Sequence, residues 1–326
     1  MNNLTTRIMD ILKRATDGYC SGQMLSVNLG ISRAAVWKHI STLRGMGYNI
    51  DAIPSKGYKL LNSDRPFNAF EITSGLKTEY VGKEIHFYKK LDSTNDTAFK
   101  MAKANASEGT VVVADYQEAG RGRLGRKWES PPGGNIYTSI ILRPPIPPHD
   151  ASKLTLLTSV AVSETIGHYL PHSTFIKWPN DILIGSRKIS GILAEMDSEM
   201  DRVNFIIIGI GVNVNVARDI FPEELRCSIT SLKEETGKDV SKVEFLQMLY
   251  FNLEKWYRNY LDSGFEHVKD AWQRFSSIEG KAVTVRQFDD TIQGTALGID
   301  KDGALILLKK TGDVVKVVAG DVVIRR

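Results

Sequence analysis

The sequence predicts a multidomain α+β protein, with a winged helix-turn-helix over residues 1–63, a central α+β domain with a mixed sheet over 66–275, and an SH3-like β barrel over 278–326. Three observations predict this fold class. Positive charge is concentrated near the N-terminus, strand-like and helical segments mix in the middle, and short β runs fill the C-terminal end.

Length and composition are those of a globular chain of two or three domains, with 326 residues, 42% hydrophobic and 25% charged. No stretch reaches the roughly 18 uncharged apolar residues of a membrane helix, and charges among the first twenty residues argue against a signal peptide. Cys20 and Cys227 lie far apart and lack metal-ligand spacing. We therefore expect a cytoplasmic protein without a membrane partner.

The net charge of +4 is unevenly distributed. Residues 1–62 hold eight Lys and Arg against three acids, a net charge of +5, so the rest of the chain carries −1. This asymmetry favours a nucleic-acid partner for the first segment. A solvated basic face would give the same count, so charge alone leaves both interpretations open.

Helical spacing of apolar residues predicts three helices in this segment, the second beginning after Ser21 and ending at Gly30, the third beginning after Ser32. Serine suits both starts because its hydroxyl accepts a backbone N–H of the first turn. Two helices joined by a short turn at a glycine are typical of a helix-turn-helix whose last helix contacts DNA.

The predicted outward face of the third helix carries side chains that can reach phosphates or base edges: Ser32, Arg33, Trp37, Lys38 and Ser41. A predicted hairpin over 48–61 follows, with Lys56 at the tip of a wing. These features predict DNA binding. A helical bundle for protein contacts is the alternative, and Trp37 also suits a packed position, since tryptophan is more often packed than in contact with DNA.

Strand-like and helical runs predict the other two domains. In the middle, strands at 110–114, 137–142, 192–196 and 205–212 mix with helices at 98–104, 151–169 and 242–260, which suits a sheet with helices on one face. Five β runs follow residue 281, and Asp302-Gly303 is a hairpin signal. Five short strands in under fifty residues predict the SH3-like barrel.

Residues 120–125 read Gly-Arg-Gly-Arg-Leu-Gly and match the G-x-G-x-x-G pattern of dinucleotide-binding folds. A strand-like run precedes them, but two prolines and two glycines follow within 126–134, where that pattern requires a helix. No acid stands at a strand end about 20 residues further on to bind a ribose. The sequence therefore argues against a dinucleotide fold.

The same loop interleaves Arg121, Arg123, Arg126 and Lys127 with small residues. Glycine lets backbone N–H groups approach an anion, and arginine offers bidentate charge to phosphate oxygens. Crowded cations repel one another unless an anion neutralises them. We therefore expect a loop that is mobile when empty and ordered by a phosphate-bearing ligand, with solvated surface charge as the alternative.

Residues 117–128, Gln-Glu-Ala-Gly-Arg-Gly-Arg-Leu-Gly-Arg-Lys-Trp, resemble the biotinyl-adenylate-binding loop of biotin–protein ligases. Four further segments match that family in type and order: 92–95 (Asp-Ser-Thr-Asn), 177–181 (Lys-Trp-Pro-Asn-Asp), 187–195 (Arg-Lys-Ile-Ser-Gly-Ile-Leu-Ala-Glu) and, more weakly, 209–215. With the two terminal domains, the similarity covers essentially the whole chain and points to bifunctional bacterial members that also repress the biotin operon.

The resemblance implies a ligase with ATP and biotin as substrates and Mg²⁺ as cofactor. Biotin would be activated as biotinyl-5′-AMP and transferred to a lysine of the biotin carboxyl carrier protein of acetyl-CoA carboxylase, or of pyruvate carboxylase. It also implies repression of biotin synthesis and transport genes at operator DNA. Because the cation-rich loop and the predicted DNA-binding domain occur in one chain, we also expect bound biotinyl-AMP to order residues 117–130 and to promote a homodimer that binds operator DNA.

The resemblance also assigns residues, matched position by position. The biotin-binding set is Ser93, Thr94, Asn95, Gln117, Arg121, Gly122, Arg123 and Lys188. Three of these, Arg121, Arg123 and Lys188, are the expected catalytic cations, because both steps develop negative charge on oxygen. The remaining adenylate-loop residues are Gly120, Gly125, Arg126 and Trp128, with Trp128 on the adenine side or in the core.

Asp181 is the candidate Mg²⁺ ligand, through water, since Mg²⁺ takes few protein ligands; capping the turn after Pro179 is its alternative role. Asn213 and Asn215 could reach the ribose or adenine, or be strand-end residues.

Two rival functions stay open. A biotin-sensing repressor would not need two arginines and a lysine around a reacting phosphate, and a lipoate–protein ligase would not be expected to carry a winged helix.

Overall fold

A computed structural model describes residues 3–15, 18–61, 65–276, 278–287 and 290–324. The chain divides into two compact units, Met1–Gly75 and Leu76–Arg326. The three-domain boundaries expected from the sequence remain predictions. None of the helices in the described residues is long and apolar enough to cross a membrane.

The first unit is a winged helix-turn-helix followed by a short helix. Its elements are α1 (Asn3–Arg14), α2 (Gly22–Leu29), α3 (Arg33–Gly45), β1 (Ile50–Ile53), β2 (Gly57–Leu60) and α4 (Ala69–Ser74). Ser21 and Ser32 cap α2 and α3 as predicted, accepting the backbone N–H of Met24 and Ala35. Gly30 ends α2 with a φ of 65°, a conformation that glycine adopts without strain.

A buried carboxylate attaches α4 to the winged helix. Glu71, fully buried, accepts hydrogen bonds from Lys13 Nζ at 2.7 Å and from the Tyr48 hydroxyl at 2.5 Å. Its own backbone N–H donates to the cap residue Asn68. The compact unit therefore continues past residue 63 to the end of α4.

The second unit is built on a seven-stranded mixed sheet, ordered β3-β4-β5-β9-β8-β7-β6. Its strands are β3 (Ile85–Tyr88), β4 (Val111–Ala114), β5 (Ile136–Leu142), β6 (Thr174–Lys177), β7 (Asp181–Ile184), β8 (Arg187–Ser198) and β9 (Val203–Val212). The β3–β4 pair is parallel and the other pairs are antiparallel. The predicted mixed sheet is confirmed.

Helices cover both faces of this sheet, not one face as expected. The helices of this unit are α5 (Thr94–Lys103), α6 (Ala151–Tyr169), α7 (Glu223–Arg226), α8 (Leu232–Thr236), α9 (Lys242–Ser263) and α10 (Glu266–Phe275). In β5, Ser139 bonds to the first turn of α5, whereas its neighbour Thr138 bonds to Tyr250 of α9. Successive strand residues point to opposite faces, so α5 and α9 lie on opposite sides. Both strand faces are apolar, a pattern that does not show which face each helix covers.

The C-terminal segment forms a five-stranded antiparallel sheet, ordered β13-β12-β11-β10-β14. Its strands are β10 (Ala282–Gln287), β11 (Asp290–Ile299), β12 (Leu305–Leu308), β13 (Val314–Val317) and β14 (Asp321–Ile324). Pairing of β13 with β14, which would close a barrel, is not observed among the described residues. The predicted turn at Gly303 is present, and its carbonyl accepts a hydrogen bond from the buried Trp178 indole at 3.1 Å.

Glu254 of α9 binds the backbone of the segment before β3. This carboxylate, 5% exposed, accepts the N–H groups of Glu79, Tyr80 and Val81 at 2.6, 3.0 and 2.8 Å. Because Glu254→Ala leaves these donors without their acceptor, we expect the free energy of unfolding to fall by about 3 kcal/mol. Urea denaturation followed by circular dichroism measures it. The exposed Glu199→Ala should cost less than about 0.5 kcal/mol, and equal losses would contradict the assigned role.

Candidate functional site

A pocket on the sheet brings most of the predicted ligand residues together. It is lined by the start of α5, the loop after β4, the adjoining parts of β8 and β9, and the start of β14. The predicted residues on its wall are Ser93, Thr94, Asn95, Gln117, Arg121, Gly122, Arg123, Arg126, Trp128, Asp181 and Lys188. Their individual roles remain predictions.

The loop after β4 closes on itself without forming a helix. Its Gly-Arg-Gly-Arg-Leu-Gly segment contains only a single 3-10 turn, Arg123–Gly125. Gly120 accepts the N–H of Trp128 at 2.9 Å, and a Cβ on Gly120 would lie 2.5 Å from the Trp128 carbonyl oxygen. Gly125 has a φ of 72°. These two glycines shape the loop and do not line the pocket, and the rejection of a dinucleotide fold is confirmed.

The neutral half of the pocket consists of buried hydrogen-bonding groups. Gln117 Oε1 accepts the backbone N–H of Thr94 at 2.8 Å and its hydroxyl at 3.0 Å. Gln117 Nε2 donates to Ser130 Oγ at 3.0 Å. Ser93 caps α5 by accepting the N–H of Asp96 at 3.4 Å. The hydrogen-bond donors and acceptors in this half of the pocket are therefore held in fixed positions.

The charged half contains cations paired with acids of the protein. Arg121 contacts Asp96 and lies 3.0 Å from both carboxylate oxygens of Glu195. Lys188 Nζ lies 2.6 Å from Asp181 Oδ1. From the sequence we expect a ligand anion to neutralise these cations, but carboxylates of the chain already do so.

The C-terminal segment supplies the acid for the middle of the loop. Asp321 contacts Arg126 and lies 3.6 Å from Arg123 Nη1, which also donates to the Gly320 carbonyl at 3.3 Å. Burial lowers the pKa of the Arg123 guanidinium, and nearby Asp321 and Asp181 act in the opposite direction. Asp321 was not identified from the sequence, because nothing local links β14 to this loop.

Three glycines of the sheet make room for side chains predicted to bind the ligand. Gly191 and Gly211 are directly opposite in β8 and β9, and a Cβ on them would lie 2.9 and 2.5 Å from the Trp128 ring. A Cβ on Gly209 would lie 2.1 Å from Asn95 Oδ1. Lys188 Nζ lies 5.1 Å from the Trp128 ring centroid, a cation–π arrangement. The weak 209–215 match thus has a steric basis.

A second cavity lies beside Trp128 and Lys188 and has more apolar walls. The side chains added there come from the segment between β9 and α8: Phe221, Leu225 and Ile229. This segment is fixed to β8 by hydrogen bonds from Lys188 N to the Ser228 carbonyl and from Thr230 N to the Lys188 carbonyl. No sequence motif pointed to this segment.

The remaining polar candidates bond within the protein. Asn213 donates to the Thr230 carbonyl at 3.0 Å, and Asn215 accepts from and donates to the backbone of Val240. The described residues contain no group of three His, Cys, Asp or Glu side chains placed to hold a metal ion. Asp181 is therefore a single carboxylate beside Lys188.

In the first unit, the residues predicted to contact DNA are all exposed: Ser32, Arg33, Trp37, Lys38, Ser41 and Lys56. Trp37 is 61% exposed, so within this unit it is not packed. Arg44, in contrast, donates to the Ile50 carbonyl at 2.9 and 2.7 Å and joins α3 to the wing.

Comparison with known proteins defines the class. Residues 87–213 match the biotin/lipoate A/B protein ligase family, residues 5–59 an HTH domain, and residues 279–325 the biotin protein ligase C-terminal domain. The chain is 42% identical to the bifunctional ligase/repressor BirA of Bacillus subtilis, over 98% of each chain. It is 31% identical to that of Escherichia coli, over 100% of this chain and 99% of the other.

A solved structure agrees. The biotin protein ligase from Aquifex aeolicus in complex with biotin and ATP superposes with a TM-score of 0.65 and 30% identity, over 75% of this chain and 99% of that one. The fold and site thus define a biotin–protein ligase with a DNA-binding domain. The chain belongs to the family of bifunctional biotin ligases and biotin operon repressors.

The close approach of Asn95 to Gly209 predicts that a larger residue at position 209 weakens biotin binding. Gly209→Ala places a methyl group against Asn95 Oδ1, so this amide must move. We expect the KM for biotin to rise about tenfold, since overpacking a tight site costs about 1–3 kcal/mol. Gly167→Ala, in α6 with open space around it, should leave the KM unchanged. Steady-state biotinylation kinetics measure both variants, and an unchanged KM in Gly209→Ala would contradict the close approach.

Proposed function

We propose that the pocket binds biotin in its neutral half and joins it to AMP in its charged half. A single observation carries this proposal: fixed donors and acceptors at Thr94 and Gln117 line the same pocket as the cations Arg123 and Lys188. A ureido ring is neutral and presents both donors and acceptors. The valerate carboxylate and the α-phosphate of ATP are anions and require cations.

In the first step, a carboxylate oxygen of biotin attacks the α-phosphorus of ATP, and the bond to pyrophosphate breaks. Lys188 and Arg123 reduce the repulsion between the two anions and stabilise the charge that develops on the phosphoryl oxygens. Asp181 and Asp321 hold these cations in position. Arg121 stays a predicted third cation, and its contacts with Asp96 and Glu195 favour a place at the biotin end.

In the second step, the ε-amine of a carrier lysine attacks the acyl carbon of biotinyl-5′-AMP, AMP leaves, and the amine loses a proton. Lys188 and Arg123 then stabilise the departing phosphate. The carrier of acetyl-CoA carboxylase is the proposed acceptor, with pyruvate carboxylase as a second one. We place the reaction in the cytoplasm.

The adenine would occupy the second cavity, where Trp128, Phe221 and Ile229 offer apolar surface. An aromatic ring beside a nucleobase provides stacking.

Asp181 would help to hold, through water, the Mg²⁺ that arrives with ATP, because one carboxylate is enough for an ion that retains water and phosphate ligands. The ion supplies charge neutralisation for the pyrophosphate.

The ligase proposal predicts covalent modification of a carrier domain. Incubation with this protein, biotin and MgATP should add one biotin mass to a biotin carboxyl carrier domain, as measured by mass spectrometry. Lipoate in a parallel reaction should add nothing. Lys188→Ala should slow the reaction at least about a hundredfold, the usual effect of removing an electrostatic group from such a site. No modification with either acid would favour a sensor without ligase activity, and modification with lipoate would favour the lipoate enzyme.

We also propose that biotinyl-AMP promotes a homodimer that binds operator DNA, with ordering of residues 117–130 as the link. The six exposed residues of the first unit would contact the DNA. An exposed strand edge supports the homodimer. β7 pairs with β8 only up to Gly191, so from Leu193 to Ser198 this edge of β8 has no strand partner among the described residues. Met196 on it is 43% exposed.

This coupling predicts ligand-dependent assembly. In sedimentation velocity, biotin plus MgATP should shift the full chain from monomer towards dimer, because the bound ligand favours the ordered loop. Lys188→Ala, which makes the adenylate slowly, should stay closer to the monomer under the same conditions. Identical monomer–dimer equilibria with and without ligand would contradict the coupling.

A further inference from the structure

Glu195 of β8 stands at one end of a hydrogen-bond chain that reaches the proposed biotin-binding residues. Its Oε2 accepts from Asn95 Nδ2 at 2.7 Å, and Asn95 Nδ2 also donates to the Leu193 carbonyl at 3.3 Å. An amide nitrogen has two protons. Because both go to these oxygens, the Asn95 amide has one orientation, with its oxygen directed away from β8.

That orientation fixes the next link. Ser139 Oγ lies 2.6 Å from Asn95 Oδ1 and 2.8 Å from Thr94 Oγ1, and Ser139 is fully buried. Since an amide oxygen can only accept, Ser139 is the donor. The Thr94 hydroxyl in turn donates to Gln117 Oε1 at 3.0 Å. Ser139 has a single proton and gives it to Asn95 Oδ1, so the Thr94 hydroxyl supplies the proton for its contacts with both Ser139 Oγ and Gln117 Oε1.

The orientation of the Asn95 amide decides whether Thr94 can accept a hydrogen bond from a ligand. The proton of the Thr94 hydroxyl is used by Ser139 and Gln117, so Thr94 Oγ1 keeps its lone pairs for the pocket and accepts from a ligand N–H. With the Asn95 amide turned over, Ser139 would instead donate to Thr94 Oγ1 and occupy one of these lone pairs. If the Asn95 amide turned over, its oxygen would face the Leu193 carbonyl and the Glu195 carboxylate. Three acceptors would then meet without a proton in a partly buried site, a costly arrangement.

Only one of the two acids that contact Arg121 takes part in this chain of hydrogen bonds. Glu195 and Asp96 both contact Arg121, but the two side-chain protons of Asn95 go to Glu195 and Leu193. Asp96 therefore serves as a matched control: its loss weakens the pairing of Arg121 and leaves the hydrogen-bond chain intact.

We propose that Glu195 is a positioning residue for biotin: by fixing the Asn95 amide it directs the Ser139 proton away from Thr94 and leaves Thr94 Oγ1 free to accept a ureido N–H. The inference rests on the proposed binding of biotin at Thr94 and Gln117. It identifies a residue that touches neither the ligand nor the reacting atoms but determines which ligand atoms the pocket prefers.

Isothermal titration of the full chain with biotin, and with biotin methylated at the ureido nitrogens, tests this. Glu195→Ala and Ser139→Ala should weaken biotin binding about tenfold or more and reduce the preference for biotin over the methylated form. Glu195→Gln should retain most of the affinity, because its amide oxygen can still accept from Asn95. Asp96→Ala should weaken biotin binding less than Glu195→Ala does, because Arg121 keeps Glu195 as a partner, and it should leave the preference for biotin over the methylated form unchanged.

The outcomes separate the inference from the proposed function. If the unmodified chain does not bind biotin, both fail. If it binds, and Glu195→Ala either binds equally or retains the full preference for biotin, the positioning role alone is overturned. Equal losses in Asp96→Ala and Glu195→Ala would assign the effect to Arg121 and also overturn it. If Glu195→Ala does not fold, biotin binding by Ser139→Ala is compared with binding by Asp96→Ala, which tests the same hydrogen-bond chain.

Discussion

The arrangement of the ligand site depends on charge compensation. Cations gathered around one loop would repel one another, and acids from distant parts of the chain neutralise them. The pairs are Arg121 with Asp96 and Glu195, Lys188 with Asp181, and Arg123 and Arg126 with Asp321. A ligand that brings a carboxylate and a phosphate competes for the same cations. In the proposed function, binding is therefore an exchange of anions, for which the sheet, the loop and the C-terminal segment must all meet at one place.

The C-terminal sheet contributes to this exchange at two points. Its turn at Gly303 accepts from Trp178, next to the Asn180-Asp181 corner, and Asp321 holds the arginines of the loop. The glycines of β8 and β9 give the complementary steric constraint, since Trp128 and Asn95 occupy the space of absent Cβ atoms. Charge therefore places the loop, and small residues let it approach the sheet.

Local signals predicted much of this from the sequence. Serine caps, apolar periodicity and turn glycines gave the winged helix, and motif order gave most of the pocket wall. Long-range partners carry no local signal: Asp321 and Glu195 acquire roles only when β14 and β8 meet the loop. Strands buried on both faces hid the position of α5. The short strands β6 and β7 were also missed, because β6 is polar at both ends and β7 runs directly into a turn.

The exchange of anions can be observed most directly in a crystal structure of the full chain with a stable biotinyl-adenylate analogue that retains the phosphate. The exchange predicts Lys188 Nζ and an Arg123 nitrogen within hydrogen-bonding distance of the phosphate oxygens, at about 2.7–3.2 Å. It also predicts the ureido ring against Thr94 and Gln117. An analogue bound with both cations still confined to Asp181 and Asp321, and out of reach of the phosphate, would contradict it.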